Sequence, residues 1–214
     1  MIRRVWDCAM LCKDAEAVLV ATDDQRIFEH VNEFGRAILT SAEHPSGTDR
    51  CNEAYQLAGL TSNIVVNIQG DEPFIQPSQV QALVEMFSNE KVEIATLKKS
   101  ISPDSEVDNP NLVKVVSDTH QRALYFSRSR IPFNRENQTG TQYYRHLGMY
   151  AYRAEILNRI TLLPPSILEE TEKLEQLRWL ENGYHIAVAE TQWQSPAVDT
   201  PEDLQKAIEF MIGS

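Results

Sequence analysis

Long apolar runs are what this chain most plainly lacks. No stretch approaches the roughly 18 consecutive apolar residues that a membrane-spanning helix requires. The opening residues, Met1-Ile2-Arg3-Arg4-Val5-Trp6-Asp7, carry no apolar signal core either, so the expected location is cytoplasmic. Cysteine is scarce: Cys8, Cys12 and Cys51 are the three in 214 residues. An odd count without paired ligand spacing points away from a disulfide framework or a zinc site. Cys8 and Cys12, four apart, share a helix face and are expected as small core residues. Positive charge is also short, with 20 Lys and Arg against 31 Asp and Glu, a net charge of −11. That balance argues against nonspecific nucleic-acid binding, which needs a basic footprint.

What is present is the material of an ordinary globular chain. At 42% hydrophobic and 24% charged residues, a single large domain with a sizeable core is expected. Charge is unevenly spread. Arg122, Arg128, Arg130, Arg135, Arg145 and Arg153 follow one another with no lysine and only Glu136 as an acid. Guanidinium forks pair with carboxylates and phosphates in two parallel hydrogen bonds, which lysine cannot copy. The stretch therefore reads either as an anion-recognition surface or as a strand face with local ion pairs.

The apolar pattern alternates strand and helix. Residues 18–21 read as a strand, and Thr22-Asp23-Asp24 caps a helix with Ile27, Val31 and Phe34 on one face, ended by Gly35. Residues 37–40 form a short strand. Ser46-Gly47-Thr48-Asp49 resembles a capping box opening a helix over residues 50–57. A strand over 64–69 is followed by a helix that begins near Pro77 and carries Val80, Leu83, Val84 and Phe87. This rhythm predicts an α/β fold: a mainly parallel, Rossmann-like sheet with helices on both faces. Residues 94–101, 113–117, 123–127 and 143–152 read as strands without a long helix between them, an antiparallel excursion in the middle. Leu174, Leu177 and Leu180 predict a helix over 172–182 that ends at Gly183. A strand over 186–189 follows, and Thr200-Pro201 opens the last helix.

Candidate chemistry begins with Asn67-Ile68-Gln69-Gly70-Asp71-Glu72-Pro73. An apolar run that breaks into glycine, acid and proline reads as a buried strand reaching its carboxyl end, where open α/β sheets bind ligands. Asp71 is there either a metal or phosphate ligand or a solvated turn acid. Asp199 precedes a helix start, and the local alternative is complementarity to the helix dipole. Ser46, Gly47 and Thr48 form a helix amino terminus, with Arg50 nearby. Gln69 is an uncharged donor and acceptor at a strand end. No Ser-His-Asp or Cys-His pattern is visible, which fits direct displacement without a covalent enzyme intermediate.

Taken in order, several segments resemble the sugar-activating cytidylyltransferases over nearly the whole chain. They are Val20-Ala21-Thr22-Asp23, His44-Pro45-Ser46-Gly47-Thr48-Asp49-Arg50, Asn67 through Pro73, Ala123-Leu124-Tyr125-Phe126-Ser127-Arg128, Arg145-His146-Leu147-Gly148-Met149-Tyr150, Leu174-Glu175-Gln176-Leu177-Arg178 and Val198-Asp199-Thr200-Pro201-Glu202-Asp203-Leu204. The similarity is greatest to the branch that activates the acid sugar 3-deoxy-manno-octulosonate (Kdo) with CTP, giving CMP-Kdo and pyrophosphate for lipopolysaccharide biosynthesis. The resemblance implies a Mg²⁺-dependent transferase with Asp71 and Asp199 as catalytic, metal-binding aspartates. It assigns nucleotide binding to Ser46, Gly47, Thr48, Arg50 and Gln69, the last of which suits either a Kdo hydroxyl or the cytosine ring, and sugar binding to Arg128, His146, Glu175 and Gln176. It also implies a homodimer joined through the excursion at about 118–152, where Tyr143 and Tyr144 precede the apolar run 147–150. Members of the family begin with a strand and a glycine-containing phosphate loop. Here Ile2, Val5, Trp6, Ala9 and Cys12 are already helix-spaced from Met1, so that strand and loop are expected to be missing, leaving a chain that binds CTP poorly. The alternatives are a cytidylyltransferase for another acidic nonulosonate sugar, and a truncated fragment that keeps only a binding or dimerising surface.

Overall fold

Apolar residues at 5, 6 and 9 turn one face of the first helix inward. In this computed structural model α1 (Ile2–Met10) buries Val5, Trp6 and Ala9, while its first residue has no side-chain cap. The structure describes residues 1–102 and 106–193, together with Gln205, Ile208 and Glu209. No helix among the described residues is long and apolar enough to cross a membrane. The chain divides into two units, one built from residues 1–62, 67–81 and 193 onward, the other from 63–66 and 82–192.

In the first unit β1 (Val20–Thr22) pairs in parallel with β2 (Ala37–Leu39), from Val20 against Ala37 to Thr22 against Leu39. Between them runs α2 (Gln25–Val31), capped by Asp24, whose carboxylate accepts from Arg26 N at 2.8 Å and Ile27 N at 3.4 Å. Trp6, Val20, Val31 and Ala37 form the core here, with Ile2, Val18, Phe28 and Phe34 packed against it. Three local expectations need correction. Gly35 does not end α2, which closes at Val31 with Asn32 as its cap; a Cβ at 35 would sit 2.6 Å from Trp6 Cζ2, so the glycine makes room for the ring. Ile27, expected to face inward, is 39% exposed. Cys8 and Cys12 are only half-buried, because Val5, Trp6 and Ala9 own the buried stripe of α1. The unit continues with α3 (Gly47–Leu57).

The second unit holds the larger sheet. Its strands are β4 (Ile94–Ser100), β5 (Lys114–Ser117), β6 (Ala123–Ser127), β7 (Tyr144–Arg153) and β8 (Ile186–Glu190), in the order β6-β5-β7-β4-β8, with β3 (Ile64–Asn67) also paired to β7. β4 and β8 run parallel, whereas β7 is antiparallel to β4 and β5, and β5 is antiparallel to β6. The expected antiparallel excursion is thus woven into the main sheet of an α/β fold. The whole of residues 118–152 lies in this unit. The turn before β6 also reaches the far edge strand, with Arg122 bridging Ala187 and Val188 N donating to Gln121 O at 2.8 Å.

Helix α4 (Pro77–Glu85) carries the chain from the first unit into the second. After β7 come α5 (Ala154–Ile160), α6 (Ile167–Glu172) and α7 (Gln176–Glu181). The continuous helix expected over 172–182 is broken at Lys173, which takes the left-handed conformation at φ 54°. Gly183, at φ 82°, follows α7 as expected of a glycine that ends a helix. Tyr143, expected on a contact surface, is instead core, 1% exposed and clustered with Ile101 and Val107. Asp199 and the helix expected from Thr200 lie, apart from the three residues named above, outside the described residues.

Candidate active site

Six of the expected nucleotide and metal residues fall in the first unit. Ser46 caps α3: its Oγ accepts from Thr48 N and Asp49 N, both at 3.2 Å, and donates to Asp49 Oδ2 at 2.5 Å. Two of the first amides of the helix are therefore spent on the cap. What stands over the helix start is Gln69. A Cβ added to Gly47 would lie 3.3 Å from Gln69 Nε2 and 3.4 Å from its Oε1, so glycine lets the amide approach the first turn. Thr48 is buried at 3% exposure.

Arg50 ties this helix to the strand ends. Its Nη1 donates to Thr40 Oγ1 at 2.8 Å and to Ser41 O at 3.2 Å, and pairs with Asp23 at 3.1 Å. Its position is set by these bonds, next to the loop that the sequence assigned to nucleotide binding. Asp71 sits in the turn that follows β3, where Glu72 N donates to Gln69 O at 3.3 Å. Gln69 and Asp71 thus share one turn. Among the described residues no three His, Cys, Asp or Glu side chains are grouped to hold a metal.

The expected sugar residues gather in the second unit, around the end of β6, the middle of β7 and the α6–α7 junction. Arg128 N donates to Glu172 Oε2 at 2.9 Å. Arg128 Nε donates to Glu172 O at 2.8 Å and Nη1 to Pro110 O at 3.1 Å, with Lys173 O 3.5 Å from Nη2. The guanidinium is largely committed to main-chain carbonyls, and Glu172 also takes the Ser127 hydroxyl at 2.7 Å. Beneath it Lys114, wholly buried, donates to the carbonyls of Asn109, Leu112 and Arg128.

His146 meets Thr96 Oγ1 through Nε2 at 2.9 Å and lies edge-on to Phe126 at 4.9 Å and tilted to Tyr150 at 5.3 Å. Burial first, and then the Arg145 charge, push its pKa down to about 3, so the ring is neutral at physiological pH. Thr96 has one proton, and Met149 O, at 2.9 Å, is placed to take it. Thr96 is then left to accept from Nε2–H, which assigns that tautomer and makes Nδ1 an acceptor. His146 thus keeps one ring nitrogen on Thr96 and leaves the other to face its surroundings. Tyr150, its neighbour, stacks edge-on against Trp179 at 5.1 Å. Burial, then the Glu175 carboxylate, raise the Tyr150 phenol well above its usual range.

Glu175 precedes α7 and lies 3.7 Å from Arg178, but the main partner of Arg178 is Glu169, gripped at 2.9 and 2.6 Å. Gln176 is 5% exposed, so this amide, expected off the leucine face, is buried. Thr96 and Glu172 were not singled out in the sequence. Both act through pairings between distant strands and helices that no local spacing announces.

The run of arginines resolves mostly into local pairs. Arg130 grips Asp108 with two bonds at 2.8 and 2.6 Å, Arg122 pairs with Asp118 at 2.8 Å, and Arg135 lies 3.6 Å from Glu136. Arg153 donates to Val92 O at 2.9 Å. For these four, the reading as a face of local ion pairs and carbonyl bonds is the correct one.

The family model described as "Cytidylyltransferase" matches residues 1–188. A 3-deoxy-manno-octulosonate cytidylyltransferase of Phocaeicola vulgatus is 50% identical over 220 residues, covering 99% of this chain and 86% of the relative. An 8-amino-3,8-dideoxy-manno-octulosonate cytidylyltransferase of Shewanella frigidimarina is 45% identical, covering 96% and 85%. Among solved structures, a CMP:2-keto-3-deoxy-manno-octonic acid synthetase complexed with CTP superposes with a TM-score of 0.93 at 41% identity, covering 99% of this chain and 87% of the other. With a family model over most of its length and relatives of this identity, the chain belongs to the cytidylyltransferase family.

Proposed function

We infer that this protein transfers a cytidylyl group from CTP to Kdo, giving CMP-Kdo and pyrophosphate for lipopolysaccharide assembly. The observation that carries the reading is 50% identity, over 99% of the chain, to a relative named for that substrate. The geometry of each unit agrees with it. The Gln69 amide over the start of α3 offers a donor and an acceptor side by side, as a cytosine edge requires, and the helix dipole there favours phosphate charge. We assign Gln69 to the nucleotide for that reason. In the second unit neutral His146 can accept from a sugar hydroxyl through Nδ1, the Glu175 carboxylate acts on Tyr150 of the same aromatic cluster, and buried Gln176 follows it at the start of α7. Arg128 offers the positive charge that suits the sugar carboxylate. A hydroxyl of the sugar acid attacks the α-phosphorus in line, and the enzyme's task is positioning and charge neutralisation.

Asp71 supplies one carboxylate on a turn, without a cage of further acids around it among the described residues. That suits Mg²⁺, which takes most of its oxygens from phosphates and water. Asp71 and Asp199 would hold the ion, and it would neutralise charge at the transferring phosphoryl group. The reading places the protein in the cytoplasm, where CTP is made. It acts as a homodimer, a reading supported by Phe133 and Leu124, 81% and 62% exposed within the excursion.

Pyrophosphate release from CTP and Kdo tests the function directly. Asp71→Asn should lower turnover at least about a hundredfold, since charge stabilisation at phosphorus is lost. Near-normal turnover of that variant at saturating Mg²⁺ would remove Asp71 from the mechanism. Light scattering of the same preparation at micromolar concentration should give a dimer's mass. The Shewanella frigidimarina relative motivates a second reading, in which 8-amino-3,8-dideoxy-manno-octulosonate is the sugar. A higher kcat/KM for that amino sugar than for Kdo would establish it.

A further inference from the structure

The approach to α3 hangs on one carboxylate. Glu53 Oε2 accepts from Ser41 N at 2.8 Å and meets His44 Nε2 at 2.5 Å. Arg50, three residues earlier on the same helix face, donates to Ser41 O at 3.2 Å. Both main-chain polar groups of Ser41 are thus held by α3 itself. Ser41 Oγ in turn accepts from Glu43 N at 3.1 Å, which tightens the stretch between the two anchor points. The side chains of His44 and Glu53 are 22% and 31% exposed, shielded enough for a charge-assisted bond to outweigh an open surface pair. The Glu53 carboxyl sits below its ordinary pKa, first because of the His44 hydrogen bond and then because of the Ser41 amide.

Two residues beyond His44 lies the cap, Ser46, and then Gly47 beneath the Gln69 amide. The clearance there is small: even a methyl on Gly47 would meet Gln69 Nε2 at 3.3 Å. A drift of the cap by a few tenths of an ångström would change how the amide and the first turn present themselves together. We propose that Glu53 and His44 are positioning residues for the nucleotide. They latch residues 41–46 onto α3 and fix the spacing between the helix start and the Gln69 amide. This rests on the reading that Ser46, Gly47, Thr48 and Gln69 receive the nucleotide.

The test combines calorimetric titration of CTP with steady-state kinetics in CTP and Kdo. Glu53→Ala should raise the CTP Kd and KM about tenfold, as misplacement of a binding group does, while the KM for Kdo stays within about twofold. Glu53→Gln keeps an oxygen that can accept from Ser41 N and His44 Nε2–H, and should recover most of the loss. Should Glu53→Ala not fold, His44→Ala removes one of the two bonds and should raise the CTP KM about threefold. The variant Glu53→Ala combined with His44→Ala should be no worse than Glu53→Ala alone, because both disrupt one latch. CTP binding by Glu53→Ala equal to that of the unaltered protein, with only a lower unfolding midpoint, would overturn the latch and leave a purely structural pair. Failure of the unaltered protein to bind either CTP or CMP, which lacks the outer phosphates that a phosphate loop would hold, would overturn the nucleotide reading as well, so the two failures are distinguishable.

Discussion

The Arg128 guanidinium reaches Glu172 O through Nε and Pro110 O through Nη1, and a single ammonium cannot repeat both, whereas the main-chain bond to Glu172 Oε2 is indifferent to the side chain. A lysine there keeps the charge and loses the fork. Arg128→Lys should cost about 1–2 kcal/mol of stability, the scale of one hydrogen bond to a charged group at a half-exposed site. If the same guanidinium also meets the sugar carboxylate, Kdo affinity should fall with little change in CTP affinity. Denaturant unfolding and separate titration of the two ligands read the two effects apart. Loss of stability with unchanged Kdo affinity would leave Arg128 as a strap between β6 and the α6–α7 junction. The distinction matters because the sequence motif contains the arginine but not its carbonyl partners. Those partners come from residues 110, 172 and 173, and only the fold brings them to Arg128.

At the scale of elements, α1 is held by a ring passing over a glycine. Gly35→Ala places a Cβ 2.6 Å from Trp6 Cζ2, and overpacking of this kind costs about 1–3 kcal/mol. In a Trp6→Leu background the same substitution should cost clearly less, because the obstructing ring is gone. Equal costs in the two backgrounds, measured by urea unfolding, would show that the ring is not what restricts position 35. The pair also shows where sequence reading stops. A 3.6-residue period located α2, a capping pattern located α3, and the pattern over 123–127 matched β6 residue for residue, because caps and the burial of one face are written in local spacing. Gly35 read as a helix end, since a glycine needed for ring clearance looks the same in sequence as one needed for a left-handed turn. Lys173 is the converse: a left-handed break just before Leu174, at the start of a leucine spacing that a continuous helix from 172 would also show. The candidate site was legible as motifs. Gln69 beside Gly47, and His146 among Thr96, Phe126 and Tyr150, required strand register and turn geometry, which single-sequence patterns do not carry.

The whole molecule should be sensitive to acid, and in two stages. His146 has a folded pKa of about 3, against roughly 6.5 for an unfolded histidine. Between those values the unfolded chain binds a proton that the folded chain refuses, so stability falls as pH falls, by at most roughly 1.4 kcal/mol per pH unit. The carboxyls of Asp24, Glu53, Asp108 and Asp118 are displaced below their ordinary values, chiefly by Arg26, His44, Arg130 and the Arg122 amide respectively. Their stabilisation is present above the unfolded values of 3.8 and 4.5 and is lost as pH falls through the lower folded ones. Urea midpoints should therefore hold level from pH 8 to about 6.5, decline gently, and then fall more steeply below about 4.5. The net charge of −11 at neutral pH vanishes near the isoelectric point of 4.9, so solubility should be least where the second stage begins. His146→Gln removes the first stage without touching the carboxylates. Its unfolding curve should stay flat between pH 6.5 and 5 and then join the steep limb of the unaltered protein. A His146→Gln variant whose decline still starts near pH 6.5 would show that another group governs that stage, and that the imidazole beside Thr96 is not held neutral by its burial.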